Sequence, residues 1–170
     1  MLAVALLPVA TAATCGRSEG PGPPGGGTPP GAHVGCPGIA LLGVYHPARL
    51  HVLRPCRWFW GTVSRVKHEE DGDYHVNVAP DPGYQDYLND ADRTVQDGAL
   101  VTEIMPGQDL PPPDLGAHVA VFGTWVLDDE HGWNEIHPIW AVVDLGSGTL
   151  RTALPPASPL FGGFEAHGGG

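Results

Sequence analysis

The sequence predicts an all-β fold, a small antiparallel barrel of five strands, in the middle of the chain. Three observations predict it. Five short runs rich in β-branched and aromatic residues fall within about 100 residues, the first run is long and contains a glycine, and no stretch has the periodicity of a long helix. The chain has 170 residues, of which 25 are Gly and 19 are Pro, and much of this excess lies at the two ends. We therefore expect one domain with disordered Gly/Pro-rich termini.

The net charge of −11 is concentrated in the predicted domain. Residues 61–145 contain three basic and seventeen acidic residues, a net charge of −14. Nucleic-acid binding draws most of its affinity from Lys and Arg that neutralise phosphates. Nucleic acid is therefore excluded as an expected partner, and the acidity is expected mainly to keep the protein in solution.

The N-terminal residues have the pattern of an export signal. Residues 1–14 (MLAVALLPVATAAT) form an apolar run followed by small residues, with an Ala-x-Ala type site at Ala10–Ala12. The run is too short to span a bilayer and is typical of a signal peptide. Cys15 follows at once, where a lipoprotein signal places its lipidated cysteine. We expect a secreted or cell-envelope protein, with lipidation at Cys15 as its route to a membrane surface.

A Gly/Pro-rich tether is predicted at 15–48, because this segment has almost nothing to bury and the conformational cost of ordering it would not be recovered. It contains Cys36, and Cys56 follows in the first predicted strand. If Cys15 carries lipid or leaves with the signal, these two remain to pair in an oxidising compartment. Closing a loop of about 20 residues would contribute roughly 3 kcal/mol. A zinc site built on these cysteines is less favoured, because the spacing is wrong.

The predicted domain spans residues 49–146, and its first half is predicted to begin with a hairpin. One bent strand, or two short ones, begins at Leu50 and runs to Val66, interrupted by Pro55 and Gly61. An Asp-Gly turn at 69–73 leads into an alternating strand from Tyr74 to Val78. The polar segment 81–98 is expected to be an ordered loop, or one helical turn, over a barrel end.

Three strands follow. Leu100–Met105 is the third, and a proline-rich connection at 106–116 separates it from the fourth, His118–Leu127. A turn at 128–132 precedes the last strand, Trp133–Asp144, and residues 147–170 are expected to be a flexible tail. In a strand, side chains two residues apart share a face, so Trp133, Glu135 and His137 should point to one side. If the turn has five residues, Trp125 faces Glu135 and Gly123 faces His137.

The stretch 131–140 (HGWNEIHPIW) is the candidate site, and three interpretations remain open. Glu135 and His137 could form a fixed polar network inside the barrel. Alternatively, a binding surface could combine the flat faces of Trp125 and Trp133 with polar contacts from Glu135 and His137. The third is a zinc centre held by His131, Glu135 and His137, with an open position for water. Pro138 cannot donate to a strand ladder, so it should mark an edge or a bulge.

The run from Cys56 to Val66, the hairpin after it and the ending GWNEIHP at 132–138 resemble uncharacterised bacterial exported proteins. These proteins carry Gly-Trp-x-Glu-Ile/Leu-His-Pro on their last strand and are predicted to be OB-like, and the resemblance covers about residues 50–145. It implies an OB-like barrel and no established activity. OB-folds usually place a helix between the third and fourth strands, where this chain has 106–116.

The predicted function is an exported β-barrel binding module for a protein, peptide or carbohydrate ligand. The alternative is a metal-dependent hydrolase that uses His131, Glu135 and His137. No cofactor is expected except the zinc ion of that alternative. The burial of Glu135 and His137 separates the two roles. Burial favours a structural role, and a position on an open groove favours a binding role.

Overall fold

The computed structural model describes residues 27–153. Its elements in chain order are β1 (Leu50–His68), β2 (Tyr74–Pro80), helix α1 (Asp90–Val95), β3 (Leu100–Ile104), β4 (His118–Asp128), β5 (Asn134–Asp144) and β6 (Thr149–Thr152). The predicted signal peptide (1–14) and the predicted lipidation at Cys15 lie outside the described residues. No helix within 27–153 is long and apolar enough to cross a membrane.

The strands form one barrel-like sheet, which confirms the predicted fold class. Their order is β3-β2-β1-β4-β5-β6, and every neighbouring pair in this order is antiparallel. A short parallel pairing between β3 and β5 closes the first five strands into a ring, through Val101 opposite Glu135 and Thr102 opposite Ile136. The sixth strand was not expected. It pairs with the second half of β5, so the segment predicted as a flexible tail begins with a strand.

The first hairpin follows the prediction. The backbone N–H of Glu69 donates to the carbonyl of Asp73 at 2.8 Å, and β1 runs without interruption through its 19 residues. Its curvature comes from shifts of register at Val52–Arg57 and at Val63–Arg65. Gly61 has another role, since a Cβ atom there would lie 2.1 Å from the backbone oxygen of Ala79 in β2. A side chain at this position would push the two strands apart.

The predicted loop at 81–98 contains α1, a six-residue helix between β2 and β3. The side chain of Asn89 accepts from the backbone N–H groups of Ala91 and Asp92, and Asp92 in turn accepts from the N–H of Asn89. This reciprocal capping explains why so short a helix forms in a polar sequence. The connection from β3 to β4 carries no helix, which differs from the usual OB-fold.

Two apolar clusters lie on opposite faces of the sheet. The barrel interior contains Phe59, Val76, Leu100, Val121, Ile136, Ile139 and their neighbours. The second cluster, on the outer face, contains Trp58, Phe122, Val126, Trp140 and others, together with two residues from before the barrel, Ala32 and Val44.

Residues 27–48 therefore differ from the expected tether, because they lie against the outer face of the barrel. Cys36 and Cys56 form the predicted disulfide, with their Cα atoms 5.8 Å apart. The hydroxyl of Thr124 donates to the carbonyl of Ala40 at 2.7 Å. We call residues 27–49 the N-terminal strap. Composition alone missed it because a few apolar residues and one disulfide are enough to hold it on the sheet.

Candidate functional site

The predicted site stretch lies in β5, but its register differs by one residue from the prediction. Glu135 lies opposite Val126, and Ile136 lies opposite Trp125. The reason is the turn, which has six residues (128–133) between the paired Leu127 and Asn134 instead of five. The Asp128 carboxylate accepts from the backbone N–H groups of Glu130 and His131 inside it, at 2.8 and 3.2 Å. A one-residue change of register exchanges the two faces of a strand.

Glu135 and His137 therefore point to the outer face of the barrel and not to the interior face expected with Trp125. Both are buried, with exposed fractions of 0% and 2%. Trp125 is on the interior side, where its ring packs 4.7 Å from that of Tyr87. The predicted binding surface made of Trp125 and Trp133 together is not formed. The pairing of β4 with β5 skips Pro138, which marks the expected irregularity in the strand.

A third charged residue joins this pair from β3. The Oε2 atom of Glu103 lies 2.7 Å from Nδ1 of His137, and the same nitrogen is 3.3 Å from Oε2 of Glu135. The indole N–H of Trp133 donates to Oε1 of Glu135 at 2.6 Å. Glu103 is 1% exposed. The parallel pairing of β3 with β5 brings these residues together although they are far apart in the sequence.

A chain of charged groups connects this buried cluster to the surface. Nε2 of His75 lies 2.9 Å from the second oxygen of Glu103, and its Nδ1 lies 3.4 Å from Glu69. Glu69 in turn forms an ion pair with Lys67 at 2.6 Å. The imidazoles of His75 and His137 lie within ion-pair distance of Glu103, but their N–H groups are not aligned for good hydrogen bonds to its oxygens.

The close packing of these charges shifts their protonation equilibria. Burial disfavours the charged form of His137, but the attraction of Glu103 and then Glu135 outweighs it and raises the pKa of His137 to about 9. Burial likewise opposes the ionisation of Glu103, yet the charges of His137 and His75 hold the pKa of Glu103 well below its usual range. Burial, and next the charge of Glu103, raises the pKa of nearby Asp73 to about 6. The shifted pKa values therefore keep both Glu103 and His137 charged at neutral pH.

The predicted ligand set of His131, Glu135 and His137 is not brought together as one centre. Within residues 27–153, the side chains close enough to share an ion fall into two groups that have Glu135 in common. One contains Glu103 and His137, and the other contains Asp128 and His131. In the second group His131 Nδ1 lies 2.9 Å from Asp128, which also forms an ion pair with Arg49.

An open cleft of about 1120 Å³ lies over the Glu103–His137 cluster on the outer face. The strap forms one wall with Gly43, Tyr45 and His46, and the β1–β2 hairpin forms another. Its lining includes five imidazoles, Arg49, Lys67 and the following six carboxylates: Glu69, Glu70, Asp71, Asp73, Glu103 and Glu130.

Sequence reasoning missed Glu103 and His75. Each stands in a strand whose neighbours alternate in character, so the sequence did contain a signal: a charged residue in LVTEIM (100–105) needs a partner. An OB-like ring places β3 beside β5, and combining this with the unpaired charge would have pointed to Glu135 and His137. No protein-family model, curated protein or solved structure matches the chain. The resemblance to bacterial exported OB-like proteins therefore stays a prediction.

Proposed function

We propose that this domain is a binding module whose ligand is a cation held in the acidic cleft on the outer face of the barrel. One observation carries the proposal: two buried charged residues, Glu103 and His137, form the floor of a cleft that is open to solvent. Burying charges costs several kcal/mol unless their partners compensate. A ligand needs an open path to such charges, whereas an ion pair that only holds the fold does not use one.

The sign of the charge in the cleft favours a cation. The six carboxylates of the lining outnumber its two permanently basic side chains and the charged His137. Both basic side chains already have partners, since Arg49 is paired with Asp128 and Lys67 with Glu69. Exposed carboxylates, including Glu70, remain around the opening. A cleft lined by charge of one sign concentrates ions of the opposite sign.

We also infer that the domain works outside the cytoplasm. The Cys36–Cys56 disulfide supports this, because such bonds persist in oxidising compartments and are rare in the cytosol. The predicted signal peptide at 1–14 fits the same location, and the predicted lipidation at Cys15 would add a membrane anchor. N-terminal sequencing and mass measurement of protein from an exporting host would test both predictions.

The binding proposal is tested by calorimetric titration of the full chain, stripped of metal, at low salt. The probes are spermidine, Zn²⁺ and Ca²⁺, with inorganic phosphate as the anionic control. The test variant reverses charge at the cleft (Glu70→Lys with Asp71→Lys), and the matched control reverses it on exposed residues elsewhere (Asp86→Lys with Asp90→Lys).

We expect at least one cation to bind, with affinity about tenfold weaker in the cleft variant and within about twofold of the original in the control. Phosphate should not bind. The proposal fails if no cation binds with a dissociation constant below about 1 mM, or if both double variants lose the same affinity.

A further inference from the structure

We infer that the floor of the cleft is a site for a divalent transition-metal ion of the zinc class, with Glu103, Glu135 and His137 as its protein ligands. This inference rests on the proposed function, because the ion would enter through the acidic cleft. It differs from the ligand set predicted from the sequence by replacing His131, which the structure places in the other group, with Glu103.

The spacing of the donor atoms fits such an ion. Zinc bound at 2.0–2.2 Å by nitrogen and oxygen in a tetrahedral arrangement separates its ligands by roughly 3.3 Å. Nδ1 of His137 already lies 3.3 Å from Oε2 of Glu135. It lies 2.7 Å from Oε2 of Glu103, so this carboxylate would need to move by a few tenths of an ångström only. One imidazole with two carboxylates is a donor set typical of zinc and its neighbours in the first transition row.

Groups outside the three ligands hold them in orientation. The indole of Trp133 binds one oxygen of Glu135 and leaves the other directed at His137. On the opposite side, His75 directs Nε2 at Glu103 and Nδ1 at the Glu69 carboxylate. Metal-binding residues are usually fixed in this way by a second layer of hydrogen bonds and carboxylates.

The second independent observation is the state of Glu103. It is 1% exposed, and the close contacts of its two oxygens are ion pairs with the imidazoles of His137 and His75, whose N–H groups are not aligned for good hydrogen bonds. Buried polar atoms in native proteins are nearly always satisfied, and an exception calls for a specific cause such as an ion. Its Oε2 atom lies 2.7 Å from Nδ1 of His137, where Glu135 also converges, while Oε1 lies 2.9 Å from Nε2 of His75. A divalent ion there would take the place of the Nδ1 proton of His137, bind Oε2 of Glu103 and balance two buried carboxylates.

The test measures Zn²⁺ binding to the metal-stripped full chain by competition with a chromophoric chelator. The variants are His137→Gln and Glu103→Gln, and the matched control is His131→Gln, which alters the neighbouring group. We expect about one equivalent of Zn²⁺, affinity reduced at least about 100-fold in the first two variants and changed less than about threefold in the control.

Trp133→Phe keeps a large aromatic ring but removes the hydrogen bond to Glu135, so it tests the site without removing a buried charge. It should weaken Zn²⁺ binding about tenfold. In addition, X-ray absorption of the zinc-loaded full chain should show a first shell of nitrogen and oxygen atoms with no sulfur. These two measurements keep the inference testable if His137→Gln or Glu103→Gln fails to fold.

The inference is overturned if Zn²⁺ binds equally well to the original protein and to His137→Gln, if His131→Gln is the variant that loses binding, or if sulfur appears in the first shell. If spermidine binds in the cleft and Zn²⁺ does not, the metal site is wrong while the cation-binding proposal stands. If neither binds, both are wrong.

Discussion

Replacing Glu103 by Gln should destabilise the protein by about 3 kcal/mol in the absence of metal. Glu103 is buried between two imidazoles, with contacts of 2.7 Å to His137 and 2.9 Å to His75. Removing one partner of a buried ion pair usually costs 3–5 kcal/mol, because the remaining charge is left without compensation. The lower end of this range applies here, because in the variant His137 still has the Glu135 carboxylate 3.3 Å away as a partner.

The assay is urea unfolding followed by tryptophan fluorescence, with a chelator present. Glu70→Gln is the matched control: it makes the same chemical change on an exposed side chain of the same cleft and should change the unfolding free energy by less than about 0.5 kcal/mol. A double-mutant cycle with His137→Gln should give a coupling energy above about 1.5 kcal/mol.

A loss in Glu103→Gln no larger than that of the control would refute the reasoning. It would mean that Glu103 is solvated in solution or that its charge is not paired with His137. A coupling energy near zero would refute the ion pair between Glu103 and His137. The loss of stability would then come from the packing of the Glu103 side chain.

Three further outcomes follow from other parts of the fold. Replacing Cys36 and Cys56 together by Ala should lower the unfolding free energy by about 3 kcal/mol, since a loop spanning 20 positions is no longer closed; an unchanged urea midpoint would contradict this. Asp92 is buried and burial raises its pKa to about 6, so its protonated form is favoured in the folded state and stability should fall as pH rises from about 4 to 6. Asp92→Asn should remove that slope and raise stability at pH 7 by at most about 3 kcal/mol, and a slope of unchanged size in the variant would rule out Asp92 as its source. Gly61→Ala should lower the unfolding free energy by about 3 kcal/mol, because its Cβ would meet a backbone oxygen of β2 at 2.1 Å. The control Gly38→Ala, with nothing within 4 Å of the new Cβ, should lower it by less than about 0.5 kcal/mol. Equal melting temperatures of the two variants would disprove the close approach.

The barrel could be predicted from the sequence because its signals are local. The alternation in Tyr74–Pro80 and His118–Asp128, and the Asp-Gly turn between β1 and β2, depend on residues a few positions apart. The disulfide followed from a count of cysteines. The strap did not follow, because its few buried side chains, such as Ala32 and Val44, are scattered among Gly and Pro and show no periodicity.

The site was predicted only in part, for two physical reasons. The turn before β5 is one residue longer than predicted, and the Asp128 side chain accepts from two backbone N–H groups inside it; such a side-chain contact is not visible in a pattern of alternation. Glu103 reaches Glu135 and His137 through the closure of the ring, a contact between strands that are not consecutive. The sequence therefore identified Glu135 and His137 as polar residues in need of partners, but assigned them to the wrong face.

The position of the disulfide determines how the cleft would respond to mechanical load. A pull applied to the chain before Gly27 passes through residues 27–35 to Cys36, and the disulfide then passes the tension directly to β1 at Cys56. The strap residues that line the cleft, Gly43, Tyr45, His46 and Arg49, lie inside the closed loop and carry none of that tension. Held by its N-terminal end, the domain would keep its cleft geometry under force until the sheet itself yields, whereas the reduced protein would lose this wall first.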